Sequence, residues 1–294
     1  MKIIERLNKW RLGDALVLFF LFAVGVMLSN VKMLDIWFSI EYLSKVLIFS
    51  VAFILLSVSL FFAINDYFDY ELDKHANKTR NPLVSGKMSK NAMLALIIVP
   101  GAIGSALTYI IGIPVFILTL LTIFSIVLYS AKPFRFKEKF LLDIVSHSLT
   151  GFFLVLIGYV MFAPFNLEIL GYALVGFLFL IPGCINPELR DYKTDKKFGL
   201  KTTVVTLGPE KALLLSKVVS VMTGFVFVLI FLKVSLVLFL FMPLIIYVLW
   251  VMLGIKDGDS IKMDKLFDKL NKKRPAVATA AVILFMILAL FKLV

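Results

Sequence analysis

Nine long apolar runs constrain the fold of this chain more than any other feature. Of its 294 residues, 61% are hydrophobic and 17% are charged, which is more apolar than a soluble domain of this length. A run of roughly 17 to 25 apolar residues is long enough to cross a bilayer as a helix. The sequence therefore predicts an all-α integral membrane protein, a bundle of nine transmembrane helices forming a single domain over residues 1–294. The runs lie at residues 12–28, 46–63, 92–111, 114–131, 141–162, 169–189, 212–231, 236–254 and 276–293.

The basic residues follow an alternating pattern along these runs. The net charge is +12, and 26 of the 31 Lys and Arg residues fall in the N-terminal segment or in every second loop. Cytoplasmic loops carry an excess of Lys and Arg, so the N-terminus is expected in the cytoplasm and the C-terminus outside. This placement explains the positive charge through the membrane, and we expect no nucleic acid partner.

The sixth run contains two prolines near its end. Pro182, Gly183 and Pro187 lie within 169–189, and proline removes a helix hydrogen bond and clashes with the preceding turn. We therefore predict a kink or a break just before residue 190.

Two aspartate clusters lie at the polar ends of the second and sixth runs, in segments 64–91 and 186–211. Helical spacing places the acids of each cluster on one face, where they repel each other unless a cation neutralises them. Mg²⁺ prefers carboxylate oxygens and is usually shared with substrate phosphates. The alternative is that these are helix-end residues solvated at the membrane surface. The candidate metal ligands are Asp66, Asp69 and Asp73 in the first cluster and Asp191 and Asp195 in the second.

The first cluster resembles the Asn-Asp-x-x-Asp-x-x-x-Asp motif of the UbiA superfamily of intramembrane prenyltransferases. Three further segments are similar to that superfamily. Residues 80–86 resemble its Arg-Pro-Leu-x-Ser-Gly loop, with Asn81 inserted after the arginine. Tyr129-Ser130-x-Lys132 resembles its Tyr-Ser-x-x-Lys segment, and the second cluster with residues 199–203 resembles its Asp-x-x-x-Asp motif and Gly-x-x-Thr tail. Segments 80–86 and 129–136 look more like archaeal and carotenoid-type members than like hydroxybenzoate-type members.

The resemblance implies a nine-helix bundle around a central cavity, with its active site on the cytoplasmic side of the cell membrane. It implies Mg²⁺-dependent transfer of an isoprenyl group from a prenyl diphosphate to an aromatic or lipid acceptor within the membrane, with release of diphosphate. Two Mg²⁺ ions would bridge the aspartate clusters and the diphosphate. The expected partners are the prenyl diphosphate donor, a hydrophobic or aromatic acceptor and membrane lipids.

The resemblance also assigns roles to individual residues. Asp66, Asp69, Asp191 and Asp195 would form the catalytic metal-binding core, and Asp73 and Asn65 would be secondary ligands or orienting groups. The Tyr129 ring would stabilise an allylic cation, although an interfacial tyrosine is also a common belt residue. The candidates for binding the diphosphate, each of which is alternatively an ordinary cytoplasmic base, are Arg80, Lys132, Lys193 and Lys201.

A polar pair lies inside the fifth run, with Asp143 and His147 four residues apart. The pair would either deprotonate or orient the acceptor, or stabilise the helix beside a water-filled cavity. Glu188, one turn before Asp191, is either a supporting group for the metal site or a satisfied helix-end carboxylate.

Two other classes of function remain open at this point. An ion-coupled transporter would need charged residues near mid-bilayer and broken helices in paired positions, whereas here the acids lie at helix ends. A membrane isoprenoid diphosphatase would use the same metal site without an acceptor.

Overall fold

The described residues of the computed structural model, 9–29, 39–75, 79 and 81–234, form a helical protein. The prediction of an all-α fold is confirmed for this part of the chain. The eighth and ninth apolar runs lie outside it, so the count of nine helices stays a prediction. The helices are α1 (Lys9–Leu28), α2 (Ile40–Phe68), α3 (Tyr70–His75), α4 (Lys90–Ile111), α5 (Ile113–Ser130), α6 (Leu142–Val160), α7 (Glu168–Lys197), α8 (Thr203–Leu207) and α9 (Pro209–Val234).

Five of these helices, α2, α4, α5, α6 and α7, are long and apolar enough to cross a membrane. Their ends carry the expected signals. The Ser39 hydroxyl accepts a hydrogen bond from the Tyr42 N–H at the start of α2, and the Ser89 hydroxyl does the same for Ala92 at the start of α4. Such caps satisfy amide groups that have no partner inside the helix. The segments 46–63, 92–111 and 169–189 lie entirely within long helices, and the segments 114–131 and 141–162 lie within them except for one or two residues at their ends.

Helix α2 contains a π-helical segment, Ser57–Ala63, immediately before the first aspartate cluster. There the Ile64 N–H bonds to the Ser59 carbonyl, five residues back. The Ser59 hydroxyl donates to the Ile97 carbonyl of α4, and Gly101 leaves room for it, since a Cβ there would lie 2.8 Å from Ser59 Oγ. The π segment is thus tied to its neighbouring helix.

Helix α7 is continuous over 30 residues and includes both Pro182 and Pro187. Of the predicted kink or break, the break is therefore wrong, and the kink stays a prediction. Each proline removes only one hydrogen bond, and an unsatisfied backbone group in hydrocarbon costs several kcal/mol, so the remaining bonds keep the helix intact. Because of this continuity, the second aspartate cluster stands on the same helix that crosses the membrane.

Helix α6 packs against α1, α5 and α7. Glycines allow two of these contacts to be backbone to backbone, as is common in membrane bundles. A Cβ on Gly151 would lie 2.3 Å from the Gly176 carbonyl oxygen of α7, and one on Gly158 would lie 2.1 Å from the Phe22 carbonyl oxygen of α1.

Two loops meet at the end of the bundle that carries both aspartate clusters. Residues 131–141 connect α5 to α6 and contain a 3₁₀ turn, Phe136–Glu138; residues 198–202 connect α7 to α8. The Lys201 N–H donates to the Glu138 carbonyl at 3.1 Å, and Lys139 and Lys201 form a single β-bridge. The contact brings the residues that follow the second cluster against the loop that approaches the first.

Candidate active site

The first aspartate cluster lies at the junction of α2 and α3. Asp66 is near the end of α2 and only 6% exposed, whereas Asp69 and Asp73 are half-buried. The Asp69 N–H bonds to the Asn65 carbonyl at 2.9 Å, and the Asp73 N–H bonds to the Asp69 carbonyl at 2.8 Å. The i to i+4 bonding continues through the junction, which keeps the acids at the predicted helical spacing.

Two bases from the α5–α6 loop hold Asp69. Arg135 donates to the Asp69 carboxylate at 3.1 Å and to the Phe68 carbonyl at 2.9 Å. The Lys137 ammonium donates to the same Asp69 oxygen and, at 2.8 Å, to the side-chain oxygen of Asn65. Charge-assisted bonds of this kind are roughly twice as strong as neutral ones. The acid cluster is therefore partly neutralised by the chain itself.

Lys137 is almost fully enclosed by this arrangement, with 11% of its side chain exposed. Burial lowers the pKa of Lys137, and the neighbouring Asp69 carboxylate acts against that shift. Burial disfavours the charged form of a group, whereas a nearby opposite charge favours it. A further anion placed beside Lys137 would therefore favour the ammonium form.

Asn81 joins the loop after α3 to the first cluster. Its amide nitrogen donates to the Asp66 carbonyl at 2.7 Å and to the Asp73 carboxylate at 3.0 Å, and its oxygen accepts from the Leu83 N–H. The residue is 2% exposed. It is the residue at which this loop departs from the family pattern, and here it orients Asp73. Arg80, immediately before it, lies outside the described residues.

The second cluster occupies the last two turns of α7. Asp191 and Asp195 are both half-buried. Arg190 lies 3.5 Å from the Asp191 carboxylate, but both side chains are more than a third exposed, and such surface pairs contribute little. The Asp195 carbonyl accepts from the Leu200 N–H at 3.0 Å, which turns the chain back toward the α5–α6 loop.

The donor chemistry of the two clusters fits Mg²⁺ shared with a ligand. In the part of the chain that the structure describes, no three His, Cys, Asp or Glu side chains are arranged to hold one ion. Mg²⁺ does not need such a cage, because it usually takes one or two carboxylates together with waters and substrate phosphates. Each of the two clusters supplies carboxylates of this kind.

A cavity of about 360 Å³ opens beside the first cluster. Its walls come from α2 and α3, from the α5–α6 loop and from the residue directly after α7. Lys132, a predicted diphosphate ligand, is exposed and lies in this wall. The lining residues are Phe68, Glu71, Leu72, His75, Lys132, Arg135, Glu138 and Phe198.

The remaining predicted residues lie around the same end of the bundle. Tyr129 and His147 are half-buried, and their ring centroids are 5.9 Å apart. Lys193 and Lys201 have exposed side chains, and Lys201 contributes its backbone to the loop contact. A ligand-binding role for these four side chains stays a prediction.

Asp143 contacts the chain beyond α7 rather than His147. Its carboxylate is fully buried and accepts from the Thr203 N–H, the Thr203 hydroxyl and the Ile144 N–H. Glu188 accepts from the Val204 N–H at 3.3 Å and from the Cys184 thiol at 3.5 Å. Asp143 therefore bonds to Thr203 and not in a helix-stabilising pair with His147, and Glu188 lies inside α7 and not at a helix end. The role of the Asp143–His147 pair toward an acceptor and the supporting role of Glu188 stay predictions.

Sequence reasoning missed Arg135, Lys137, Asn81 and Thr203. A usable signal existed for the first two, since Arg135-Phe136-Lys137 follows the segment from which Lys132 was chosen. Arg135 has a left-handed backbone with φ of 42°, and the 3₁₀ turn follows it directly. The turn cannot be read from the sequence, and position along the chain alone favours Lys132 over these two bases as a diphosphate ligand.

These features define a class of protein: an all-helical, multi-pass membrane protein with two carboxylate clusters and buried bases at one end of its bundle. Comparison with known protein families agrees with this class. The model of the UbiA prenyltransferase family matches residues 16–272, and the chain belongs to that family.

Curated relatives come from archaea. A digeranylgeranylglyceryl phosphate synthase of Thermococcus sibiricus is 33% identical over 181 residues, which is 61% of this chain and 62% of that protein. The corresponding enzyme of Pyrococcus furiosus is 29% identical over 162 residues, 54% of this chain and 56% of that protein. The matched region thus spans little more than half the length of these relatives.

Solved structures share the fold over nearly the whole chain. A UbiA homolog from Archaeoglobus fulgidus, bound to GPP and Mg²⁺, matches with a TM-score of 0.68 and 22% identity, covering 93% of this chain and 99% of that one. The apo structure of a UbiA homolog from Aeropyrum pernix K1 matches with a TM-score of 0.70 and 19% identity, covering 95% and 97%.

Proposed function

We propose that this protein is a Mg²⁺-dependent intramembrane prenyltransferase. It transfers an isoprenyl group from a prenyl diphosphate to a lipid acceptor and releases diphosphate. The observation that carries the proposal is the set of bonds from Arg135 and Lys137 to Asp69 and Asn65 at one end of an apolar bundle. There, a carboxylate that can bind a divalent cation lies in direct contact with two basic side chains that can bind a polyanion.

The chemistry accounts for this combination. The allylic C–O bond of the donor breaks with its electron pair leaving on the diphosphate, the acceptor nucleophile bonds to the allylic carbon, and the acceptor loses a proton. Charge that develops on the leaving group is stabilised by prearranged cations. Bound Mg²⁺ would supply most of that neutralisation as a Lewis acid.

The residues divide the work as follows in this proposal. The five aspartates hold the metal, Asn65 orients the first cluster, and Arg135 and Lys137 contact the diphosphate oxygens from the α5–α6 loop. Tyr129 faces the allylic cation, and His147 beside it receives or orients the acceptor. The further bases proposed for the diphosphate are Arg80, Lys132, Lys193 and Lys201.

The acceptor class follows from the relatives rather than from the site. The curated relatives are named for synthesis of digeranylgeranylglyceryl phosphate, so we propose an isoprenylated glyceryl phosphate lipid as acceptor. An aromatic acceptor is the alternative. The site is proposed to face the cytoplasm, because the clusters lead into the loops that are rich in Lys and Arg.

The transporter alternative expects charged residues near mid-bilayer and broken helices in paired positions. The sequence offered one such break, and α7, the helix that was predicted to carry it, is continuous. The diphosphatase alternative would use the same site, and the experiment described next distinguishes it from the transferase.

The test is release of pyrophosphate by the purified protein supplied with geranyl, farnesyl or geranylgeranyl diphosphate and a lipid extract, with Mg²⁺ or with chelator. We expect Mg²⁺-dependent release with formation of a prenylated lipid, and loss of both in Asp66→Asn and Asp191→Asn. Glu168→Gln is the matched control, since Glu168 is an exposed acid at the opposite end of α7. Release without a prenylated product would establish the diphosphatase, and a wild-type rate in either Asn variant would refute the metal assignment.

A further inference from the structure

Thr203 is the centre of a buried polar junction between the two loops at the active end. It is fully buried. Both its N–H and its hydroxyl donate to the Asp143 carboxylate, and its hydroxyl oxygen accepts from the Leu141 N–H at 2.8 Å. Buried polar groups of this kind restrict the movement of the segments that carry them, because each group loses its hydrogen-bond partners if the others move.

The contacts on either side of Thr203 extend this junction. Two residues before Thr203, the Lys201 N–H donates to the Glu138 carbonyl. One residue after Thr203, the Val204 N–H donates to the Glu188 carboxylate of α7. Residues 138–143 and 201–204 are therefore joined along their length, and the bond from Val204 to Glu188 joins the second segment to α7.

The junction has a connection to each aspartate cluster. Glu138 pairs with Arg135, which binds Asp69 of the first cluster at 3.1 Å. On the other side, the Leu200 N–H bonds to the Asp195 carbonyl of the second cluster at 3.0 Å. The path from Asp69 to Asp195 thus consists of two ion pairs, which Arg135 makes with Asp69 and with Glu138, backbone hydrogen bonds and short stretches of backbone.

The packing of the helices shows why this junction matters for the relative position of the two aspartate clusters. Helix α2, which carries the first cluster, packs mainly on α4, and α7, which carries the second, packs mainly on α6 and α9. Near the aspartate clusters the apolar packing of the two helices is also separate, since Ile64 of α2 and Leu189 of α7 lie in different core clusters; farther from the active end, both helices contribute to one core cluster. Their active ends are connected through the loop junction.

We propose that the Asp143–Thr203 junction is a positioning element that sets the separation of the two aspartate clusters. Its functional part rests on the proposed function: a metal and diphosphate ligand that spans both clusters binds tightly only when that separation is held. Groups that orient metal ligands typically change metal affinity or activity by about 10- to 100-fold when they are removed. Thr203 touches neither metal nor substrate in this proposal.

The structural test measures the separation directly. Spin labels are placed at Lys74→Cys and Lys196→Cys, two exposed positions beyond the first and second clusters, and the distance distribution is recorded by pulsed electron paramagnetic resonance. We expect one narrow distribution in the otherwise wild-type protein and a broadened or shifted one in Thr203→Val. Thr203→Ser, which keeps the hydroxyl, should restore it. Thr206→Val, a change at an exposed position of the same helix, should have no effect.

The functional test uses the same variants without labels. In Thr203→Val, the Mg²⁺ concentration for half-maximal activity and the donor KM should rise by about tenfold, with recovery in Thr203→Ser. If wild-type protein transfers no prenyl group, the proposed function fails while the label distances still decide the junction. Unchanged distances in a folded Thr203→Val protein would refute the positioning role. Should that variant not fold, Asp143→Asn, which removes one acceptor from the same junction, is measured in its place.

Discussion

Lys137 binds two oxygens that the sequence assigned to the metal site, one on Asn65 and one on Asp69. Truncating it in Lys137→Ala removes charge-assisted bonds from the place where the diphosphate is proposed to bind. A hydrogen bond to a charged group contributes about 1.5–3 kcal/mol, so the donor KM should rise by about 10- to 100-fold, as measured by steady-state kinetics. Lys139→Ala is the control, because that side chain is exposed. An unchanged KM would remove Lys137 from the diphosphate site.

Asn81 makes a second prediction at this scale. Asn81→Ala removes the amide that donates to the buried Asp66 carbonyl and to the Asp73 carboxylate. A hydrogen bond to a charged group contributes about 1.5–3 kcal/mol, so the midpoint of thermal unfolding should fall, and turnover with it. The exposed Asn91, changed to Ala, is the control. Equal unfolding midpoints for the two variants would show that Asn81 does not stabilise this loop.

The acids could be predicted from the sequence, but their partners could not. Spacing alone puts Asp66, Asp69 and Asp73 on one face, because helical periodicity is a local property. Which base reaches Asp69 depends instead on the backbone at Arg135, whose left-handed φ of 42° brings the next turn back toward α2. No periodic pattern in the sequence reports such a turn.

At the scale of helices, the apolar runs predicted where the membrane-spanning helices lie more accurately than they predicted where those helices begin and end. Helix α2 begins at Ile40, six residues before the predicted run, and α7 continues to Lys197. Charged residues end an apolar run, but they do not end a helix, which stops where caps or turns replace its hydrogen bonds. The π segment was unpredicted for a related reason: its residues are apolar like those around it.

The contact between α6 and α7 gives a prediction for helix packing. Gly151→Ala would place a Cβ 2.3 Å from the Gly176 carbonyl oxygen, so the helices must separate, and overpacking of this kind costs about 1–3 kcal/mol. Gly171→Ala on α7 is the control, since nothing lies within 4 Å of a Cβ there and alanine favours helix by about 1 kcal/mol. Thermal unfolding in detergent should give a lower midpoint for the first variant and an equal or higher one for the second. The reverse order would contradict the close approach.

For the whole molecule, the distribution of Lys and Arg predicts an orientation that can be measured. Impermeant maleimide added to intact cells should label Pro164→Cys, in the loop between α6 and α7, and should label Lys196→Cys only after permeabilisation. Both positions are exposed, and the native Cys184 is buried, which keeps the background low. The opposite labelling pattern would invert the topology and place the aspartate clusters outside.

The two helices that carry the aspartate clusters, with 29 and 30 residues, are the longest in the described part of the chain. At 1.5 Å per residue α7 is about 45 Å long, against a hydrocarbon thickness of about 30 Å. Each of these helices is therefore long enough to extend past the hydrocarbon into the headgroup layer. The prenyl diphosphate proposed as donor has a charged head and a long apolar tail, so it would lie at that same depth on its own. In that proposal the protein would bind the donor without lifting it out of the bilayer, and the depth of the site would depend on lipid thickness.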